Sequence, residues 1–446
     1  MCHCNKAAGC YDRSVTHLYT FVLYLALPLA FLRLWWRGFR QPAYRQHWRE
    51  RLGYVAEIAN DAPLVWVHAV SVGEVRAAEP LVNALLQRHP QLLLLMTTTT
   101  PTGRETVARL FGDRVRCCYL PWDLPFSIRR FLSSIRPEKV IVLETELWPN
   151  LFRELKQRDI PLFLVNARLS DASLRGYRRM PSLVRGTLSC VTGIAAQSEV
   201  DASRFMALGA PENRVEYVGN LKYEVELRQD FELRLTSLRQ QFGCCEPLWV
   251  AGSTHPGEEE IVLSVHRRLL ARYPNCLLFL VPRHPERAAD VVLLCQQAGM
   301  SVALYSDIAG YDQAKRSADP VPDQNQVVVV NVLGQLIYLY GLASVAFIGG
   351  SLEPHGGHNP LEAVQAGCTV VSGEHVDNFA DIYHQLESVG AVTCIENEDG
   401  LAETIETLLG DAELRRRQLV AGEQVLAGNR GALARVLALI ETNAVP

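Results

Sequence analysis

The feature of this sequence that most constrains its fold is a twofold alternation of short apolar runs with amphipathic segments. The runs fall into two series, at 64–70, 92–98, 116–121, 139–145, 161–167, 193–198 and 215–220, and then at 248–253, 276–282, 326–332, 345–350 and 369–373. Nearly continuous apolar runs are typical of parallel strands that helices cover on both faces. A charged segment with helical character, 221–243, separates the series. The pattern predicts an α/β protein with two doubly wound, Rossmann-like domains that face a cleft.

The composition is that of a globular protein and does not point to a nucleic-acid partner. The 446 residues are 48% hydrophobic and 21% charged, with a formal net charge of −4. A chain of this length favours two or three domains. The twelve cysteines include no C-x-x-C pair, so the ligand spacing of a zinc site is absent.

One apolar segment near the N-terminus departs from this soluble pattern. Residues 18–32 carry no charged side chain, and several arginines follow them. The length is close to the lower limit for a span, so the segment predicts a short transmembrane helix or an interfacial helix. The basic flank predicts that the rest of the chain is cytoplasmic. A cleaved signal peptide fits poorly, because aromatic residues and arginines follow where a cleavage site would need small residues. A buried core helix is the remaining alternative.

These features divide the chain into four parts. We expect a disordered leader at 1–16 and a membrane-anchor helix with its basic flank at 17–40. The N-terminal Rossmann-like domain then covers 41–222, and the C-terminal one covers 223–446.

A glycine-rich segment, GGSLEPHGGHNPLEAVQAG at 349–367, joins a predicted strand to a predicted helix. Asn359 is the predicted N-cap, Pro360 the first helical residue and Glu362 the third, which is a capping-box layout. Backbone N–H groups ahead of such a helix can bind an anion. A tight, well-capped turn with nothing bound explains the same residues.

Acidic residues follow two predicted strands of the first series. Glu74 belongs to the capping box Ser71-Val72-Gly73-Glu74, where the helix N-terminus favours the carboxylate form. An ionised carboxylate facing a cleft is a candidate general base. Glu144 and Glu146 would point to one side if their strand continued, and two close carboxylates tend to share a proton. A structural ion pair is the alternative role for one of these two.

Two basic residues are candidate anion ligands. Lys222 follows the last strand of the first series, where it can meet a phosphate or carboxylate or can be a solvated linker residue. Arg283, directly after Pro282, is better placed to bind phosphate through its planar guanidinium. The sequence lacks D-x-D, G-x-G-x-x-G and G-x-x-x-x-G-K-[ST] motifs, so it predicts no metal-bound nucleotide diphosphate, dinucleotide or P-loop site.

Seven motifs, in this order, carry a family resemblance: SVGE, TPTG, ETELWPNL, NARLS, STHPGEE, VPRHPER and GGHNPLEA. They resemble the 3-deoxy-D-manno-oct-2-ulosonic acid (Kdo) transferases of lipopolysaccharide assembly, over almost the whole chain. The resemblance implies a GT-B glycosyltransferase that moves Kdo from CMP-Kdo onto a lipid A precursor (lipid IVA). It also implies an inverting, metal-independent reaction without a cofactor, at the cytoplasmic face of the inner membrane.

The resemblance implies roles for individual residues as well. It makes Glu74 the base and gives Glu144 and Lys222 a part in stabilising the transition state. Donor binding is implied for Gly73 and for residues that follow strands of the second series: Pro282, Arg283, Leu333, Gly334, Gln335, Asn359, Pro360, Leu361 and Glu362. The glycines would let the donor phosphate and ribose approach the helix that Asn359 and Glu362 cap.

Three positions near the implied donor site depart from the family pattern. The family usually has an Asp and a Glu where this sequence has Asn331 and Gln335, and a Pro where it has Glu374. These differences remove two charges near the donor phosphate and add one, while backbone contacts at Gly334 are expected to remain.

Two other functions stay open from the sequence. One is a GT-B transferase or epimerase with a uridine-type donor, and the other is a membrane scaffold that keeps the fold without catalysis. A cluster of arginines at 175–185 is either a second basic contact for anionic lipid or a solvated helix face.

Overall fold

The computed structural model of the chain describes residues 13–39, 41–58, 62–224, 227, 230–242, 247–308 and 326–442. The chain forms two compact units. Unit 1 comprises Met1–Glu224 with Asn429–Pro446, and unit 2 comprises Val225–Gly428. Each unit contains one parallel sheet, as the two series of apolar runs predict.

The strands of unit 1 are β1 (Leu64–His68), β2 (Leu93–Thr98), β3 (Arg116–Tyr119), β4 (Lys139–Leu143), β5 (Leu162–Ala167), β6 (Gly193–Ala196) and β7 (Val215–Tyr217). They form a seven-stranded sheet in the order β3-β2-β1-β4-β5-β6-β7. The order reverses between β1 and β4, which pair in parallel. In open α/β sheets ligands bind at the carboxyl ends of strands at such a switch point. The sequence places Glu74 and Glu144 just beyond these two strand ends.

The helices of unit 1 cover both faces of its sheet. They are α1 (Arg13–Arg37), α2 (Trp48–Arg51), α3 (Val72–Arg88), α4 (Pro101–Phe111), α5 (Pro125–Ile135), α6 (Pro149–Gln157), α7 (Asp171–Tyr177), α8 (Pro181–Leu188) and α9 (Glu199–Ala207). Trp66 packs with Phe131 on one face of the sheet. Val67 packs with Leu81 on the other. Burial on both faces explains why the strands read as continuous apolar runs.

The strands of unit 2 are β8 (Leu248–Thr254), β9 (Leu277–Pro282), β10 (Val302–Leu304), β11 (Val327–Val329), β12 (Val345–Ile348), β13 (Thr369–Gly373) and β14 (Val392–Ile395). Their order is β10-β11-β9-β8-β12-β13-β14, with the reversal between β8 and β12. The carboxyl ends of β8 and β12 are therefore the expected ligand-binding edge of this unit.

The helices of unit 2 are α10 (Phe231–Phe242), α11 (Glu258–Arg272), α12 (Ala288–Gln297), α13 (Tyr305–Ile308), α14 (Leu336–Leu342), α15 (Leu361–Gln365), α16 (Ala380–Ser388), α17 (Glu398–Gly410) and α18 (Ala412–Asn429). Trp249 of β8 and Val265 of α11 belong to the core cluster of this unit.

The last helix, α19 (Ala432–Thr442), belongs to unit 1. Its residues Val436 and Leu437 lie in the same core cluster as Ile141 and Phe163 of the unit 1 sheet. The sequence analysis assigned all of 223–446 to the C-terminal domain, and the structure corrects this for the residues from Asn429 onward. The apolar face of α19 is buried against the first sheet, and sequence order alone does not reveal that packing.

Strand lengths also differ from the predicted apolar runs. β4 ends at Leu143 because Glu144 has a φ of 56°, which leaves the extended region. The sequence analysis missed β10 and β14, the two edge strands of unit 2, which are three and four residues long. Both are partly exposed, so neither gives the long apolar run that marks the buried strands.

The apolar N-terminal segment forms α1, which begins at Arg13 and so includes part of the leader that was expected to be disordered. Residues 1–12 lie outside the described residues. Within the described part of the chain, Ser14–Arg37 is the helix long and apolar enough to cross a membrane, with a mean hydropathy of 1.8. Large side chains such as Phe21 and Leu29 are exposed on it.

One side of α1 contacts the rest of unit 1. The Tyr19 hydroxyl donates to Asp123 Oδ2 at 3.0 Å. The Thr20 hydroxyl donates to Asn150 Oδ1, also at 3.0 Å. Near the other end of the helix, the Phe31 ring packs edge-on against Trp122 with centroids 4.6 Å apart. The helix is therefore joined to the unit at both ends.

Candidate active site

Glu74 lies in the first turn of α3, just after the carboxyl end of β1. Ser71 is the N-cap, and its hydroxyl oxygen accepts from the Glu74 N–H at 3.5 Å. The Glu74 carboxylate accepts from the Val70 N–H at 2.8 Å and from the Ser71 hydroxyl at 3.1 Å. The predicted N-cap at Ser71 is confirmed, while the Glu74 carboxylate accepts from the N–H of Val70, one residue before the N-cap N–H of a standard capping box.

Burial raises the pKa of Glu74 to about 7. The residue is 8% exposed. The negative charges of Glu144 and Glu146 raise the pKa further, whereas the hydrogen bonds from Val70 and Ser71 lower it. The sequence analysis expected the helix N-terminus to favour the carboxylate form, and the structure shows that desolvation outweighs that effect. A carboxyl group that titrates near neutral pH is well matched to general base catalysis.

Glu144 and Glu146 follow β4, the neighbour of β1 in the sheet. The left-handed backbone at Glu144 ends the strand, so the strand alternation that placed both side chains on one side does not apply. Glu144 Oε1 accepts from Lys222 Nζ at 3.2 Å, an ion pair that was one of the two predicted roles. Burial, and then the charge of Glu144, raise the pKa of Glu146 to about 7.

Lys222 is positioned by a polar network at the ends of β5, β6 and β7. Its N–H donates to Asn220 Oδ1 at 2.9 Å, and Asn220 Nδ2 donates to Gln197 Oε1 at 3.1 Å. Gln197 Nε2 then donates to the Asn166 carbonyl at 2.8 Å. Asn166 Oδ1 accepts from the Leu221 N–H at 2.9 Å.

The sequence analysis gave no role to Asn166, Gln197 or Asn220. The signal available for them was that each is an amide residue at or just after a strand end. Gly73 was predicted to bind the donor, and the structure shows space around it. A Cβ at Gly73 would meet only Ser71 Oγ within 4 Å, at 3.9 Å.

In unit 2, Pro282 ends β9 and Arg283 follows it. The Arg283 N–H donates to the Thr254 carbonyl at 2.9 Å, which holds the start of this loop against the end of β8. The Arg283 side chain is half-buried and has no carboxylate partner among the residues that the structure describes. It remains the best-placed cation for a phosphate at this edge.

Three amides near the start of the glycine-rich segment already have a partner. The N–H groups of Gly350, Ser351 and Leu352 donate to the Glu258 carboxylate at 2.7, 3.0 and 3.0 Å. The His255 N–H donates to the same carboxylate at 3.0 Å. Glu258 is fully buried. These three amides are therefore not available to an anionic ligand, and the predicted donor contacts at 359–362 stay a prediction.

The helix after this segment, α15, is five residues long and begins at Leu361. Asn359 Oδ1 accepts from the Leu361 N–H at 3.1 Å, so the capping role of Asn359 is confirmed. Pro360 lies at the N-cap position, and Glu362 is the second helical residue. Pro360 already has the helical φ of -80° and ψ of -16°, so the predicted start and the assigned start differ only in whether this residue is counted.

At the third predicted donor segment, Leu333 is 76% exposed and Gly334 is exposed with a φ of 76°. Gln335 is buried, and its Oε1 accepts from the Tyr305 hydroxyl at 3.3 Å. Asn331 Oδ1 accepts from the Ser306 N–H at 3.1 Å. Asn331 and Gln335, two of the three positions that depart from the family pattern, thus bond to α13. The backbone at Gly334 is exposed, and its contact with the donor stays a prediction.

Within the described ranges, no group of three or more His, Cys, Asp or Glu residues is arranged to hold a metal ion. Metal independence stays a prediction.

Comparisons with known proteins identify the family. Residues 46–225 match the family model described as 3-deoxy-D-manno-octulosonic-acid transferase (kdotransferase), and residues 247–425 match that of glycosyl transferases group 1. The chain is 41% identical to the 3-deoxy-D-manno-octulosonic acid transferase of Haemophilus influenzae, over 95% of this chain and 97% of that protein. It is 34% identical to the Bordetella pertussis protein of the same name, over 95% and 98%.

The match to the group 1 family, residues 247–425, lies within unit 2. The chain is similar to the C-terminal CMP-Kdo binding domain of WaaA from Acinetobacter baumannii, with 27% identity and a TM-score of 0.41. That match covers 45% of this chain and 99% of the solved domain.

Proposed function

Because the chain belongs to the Kdo transferase family and has a GT-B glycosyltransferase fold, we propose that it transfers Kdo from CMP-Kdo to a lipid A precursor, lipid IVA. The reaction takes place at the cytoplasmic face of the inner membrane, inverts the anomeric centre and needs no metal. The observation that carries this proposal is the buried Glu74 carboxyl group, whose pKa of about 7 suits a base at neutral pH.

In the proposed reaction Glu74 takes the proton of the acceptor hydroxyl. The hydroxyl oxygen attacks the anomeric carbon of Kdo, and the bond from that carbon to the phosphate oxygen breaks. The electron pair of the broken bond leaves on CMP. Attack opposite to the departing CMP inverts the anomeric configuration.

The ion pair between Lys222 and Glu144 supports this base electrostatically. Glu144 raises the pKa of Glu74, and a positive charge 3.2 Å from Glu144 Oε1 offsets that effect. The network through Asn220 and Gln197 holds the Lys222 backbone in place. Lys222 therefore keeps Glu74 able to ionise near neutral pH, and its ammonium group can meet charge that develops in the transition state.

We infer from the contacts of α1 that this helix lies in the membrane interface and does not span the bilayer. Tyr19 and Phe31 contact unit 1, and the helix rises about 18 Å between them. A helix joined to a folded unit along such a length cannot be surrounded by hydrocarbon on all sides. Its outer face, with Phe21, Leu25 and Leu29, is exposed and suits burial among acyl chains.

Incubation of the protein with CMP-Kdo and tetraacylated lipid A precursor tests the proposal. Mass analysis of the products should show added Kdo units and count them, and a metal chelator should leave the rate unchanged. Thermal unfolding separates the alternatives, since CMP should raise the melting temperature and UDP should not. CMP binding without transfer would favour the scaffold, and protection by UDP alone would favour a uridine-type donor.

A further inference from the structure

Histidines from three loops converge at the ligand-binding edge of unit 2. His255 follows β8, His284 follows β9, and His355 and His358 belong to the glycine-rich segment after β12. His255 Nε2 lies 3.1 Å from His358 Nε2. The rings of His255 and His355 stack with centroids 4.1 Å apart, and the His284 ring stands edge-on at 6.3 Å. The cluster therefore lies where the strand order of the sheet reverses.

The contact between His255 and His358 restricts where protons can be. One Nε2 must donate and the other must accept, so one of these two nitrogens carries hydrogen while the contact is intact. A second proton at the contact would set two N–H groups against each other. An anionic oxygen between the rings removes this conflict, because both N–H groups can then donate to it.

The charged and titratable groups around His255 come from several elements. They are Glu258 in the first turn of α11, Arg283 and His284 after β9, and His355 and His358 after β12. Burial and then the charge of His355 lower the pKa of His255, Glu258 raises it, and His284 and Arg283 lower it further. Together these influences favour the neutral imidazole of His255, and a bound anion would reverse that preference.

The Glu258 carboxylate is held in place by hydrogen bonds from four backbone N–H groups. Gly350 also leaves room for the rings. A Cβ at this position, where φ is 70°, would lie 3.2 Å from His358 and 3.4 Å from His255. The absence of that atom lets the two imidazoles separate around a ligand.

We propose that His255 and His358, together with the guanidinium of Arg283, form a phosphate-binding site that takes up a proton when the phosphate of CMP binds. The inference rests on the proposed CMP donor. It names side chains as groups that hold the phosphate, since the N–H groups of residues 350–352 donate to Glu258.

Calorimetric titration of the full chain with CMP at pH 8, in two buffers of different ionisation enthalpy, counts the protons taken up. The second pKa of the CMP phosphate is about 6, so free CMP is fully deprotonated at pH 8. Any proton counted is therefore taken up from the buffer when the complex forms. We expect uptake of up to about one proton per CMP, and up to about a tenfold loss of affinity per pH unit above pH 7.5.

His255→Gln and His358→Gln should each abolish the proton uptake and weaken CMP binding by about tenfold or more. His384→Gln, at an exposed position of α16, is the matched control and should change neither quantity. Glu74→Gln should also keep the uptake, which excludes the catalytic carboxyl as its source. Melting curves without ligand check each fold, and His358→Asn serves if the glutamine variant is unstable.

CMP binding within twofold of the wild type in both variants, with unchanged proton uptake, would overturn this proposal and leave the CMP donor in place. If the two variants bind CMP more weakly but the wild type takes up no proton, the phosphate site stands and the protonation step is overturned. Inorganic phosphate distinguishes the remaining case. If the wild type binds phosphate with proton uptake but does not bind CMP, the donor assignment fails and the phosphate site stands. If it binds neither, both proposals fail.

Discussion

Lys222 Nζ lies 3.2 Å from Glu144 Oε1, although 78 positions separate the two residues in the chain. The contact joins the loop after β7 to the end of β4, at the switch point of the unit 1 sheet. Glu144 in turn raises the pKa of Glu74 and of Glu146. Lys222 therefore pairs with the carboxylate whose negative charge raises the pKa of the proposed base.

Lys222→Met should move the acid limb of the pH–rate profile to higher pH. Loss of the positive charge leaves Glu144 uncompensated, so the pKa of Glu74 rises above about 7. We expect a shift of about 0.5–1 pH unit, with activity lost at pH 7 and partly regained at pH 9. Initial rates between pH 5.5 and 9.5 measure this, and Lys156→Met, at an exposed position of α6, is the control.

Glu144→Gln should shift the same limb to lower pH, because it removes a charge that raises the pKa of Glu74. Opposite shifts in the two variants would show that the ion pair acts through the base. A rate loss in Lys222→Met that is equal at every pH would contradict this and would point to direct contact with the transition state.

Glu258→Gln should destabilise unit 2 strongly. Glu258 Oε1 accepts from Ser351 and Leu352, and Oε2 accepts from His255 and Gly350. The amide NH₂ of glutamine would face two N–H donors, so one of these pairs of hydrogen bonds is lost. We expect a loss of about 2–4 kcal/mol in the free energy of unfolding, measured by chemical denaturation.

Glu260→Gln, at an exposed position of the same helix, controls for the charge change in α11. It should lower the free energy of unfolding by less than about 0.5 kcal/mol. Equal effects of the two substitutions would mean that the glycine-rich segment does not depend on the buried carboxylate.

The sequence was sufficient to predict the two parallel sheets, because buried strands such as β1 and β5 leave continuous apolar runs. It was also sufficient to place Glu74, since the S-x-x-E pattern marks a helix start. The pKa of Glu74 could not be predicted in the same way. It depends on burial and on Glu144 and Glu146, which the fold brings near from another strand.

Long-range partners account for the other differences. Nothing in the spacing of the glycine-rich segment shows that Glu258, some ninety residues earlier, accepts its N–H groups. The capping pattern at Asn359 was recognisable, because its side chain accepts from an N–H group only two residues along the chain. Likewise, α19 has an ordinary amphipathic pattern, and only the packing of Val436 and Leu437 assigns it to unit 1.

Removal of residues 1–32 should release the protein from membranes only in part. The remaining arginines include Arg175, Arg178, Arg179 and Arg185, all exposed, which can attract anionic lipid. Sedimentation with vesicles that contain anionic lipid should show binding at low salt that is lost at high salt. A truncated protein that stays fully soluble at low salt would show that these arginines form only a solvated surface.

Glu74→Gln separates catalysis from helix capping. Glutamine is accepted at the third position of a capping box, and its Oε1 can still accept from the Val70 N–H. If Glu74 only capped α3, transfer would therefore fall little. As a general base it must accept a proton, which the amide cannot do, so the rate should fall by about 10²–10⁴-fold. Single-turnover transfer from CMP-Kdo measures this, and CMP affinity should stay near that of the wild type.

The same variant should be more stable than the wild type at high pH. Folding raises the pKa of Glu74 from 4.5 to about 7, so the wild type loses stability as pH rises through this range and the buried carboxylate forms. Glutamine avoids that cost, and we expect the melting temperature of the variant to exceed the wild-type value at pH 8 but not at pH 4.5. The difference corresponds to roughly 1–3 kcal/mol.

Glu362→Gln is the control for the catalytic prediction, because it should weaken CMP binding before it affects transfer. A Glu74→Gln protein that transfers Kdo within a few-fold of the wild-type rate would remove Glu74 from the mechanism and make Glu146, the other carboxyl with a pKa near 7, the next residue to test.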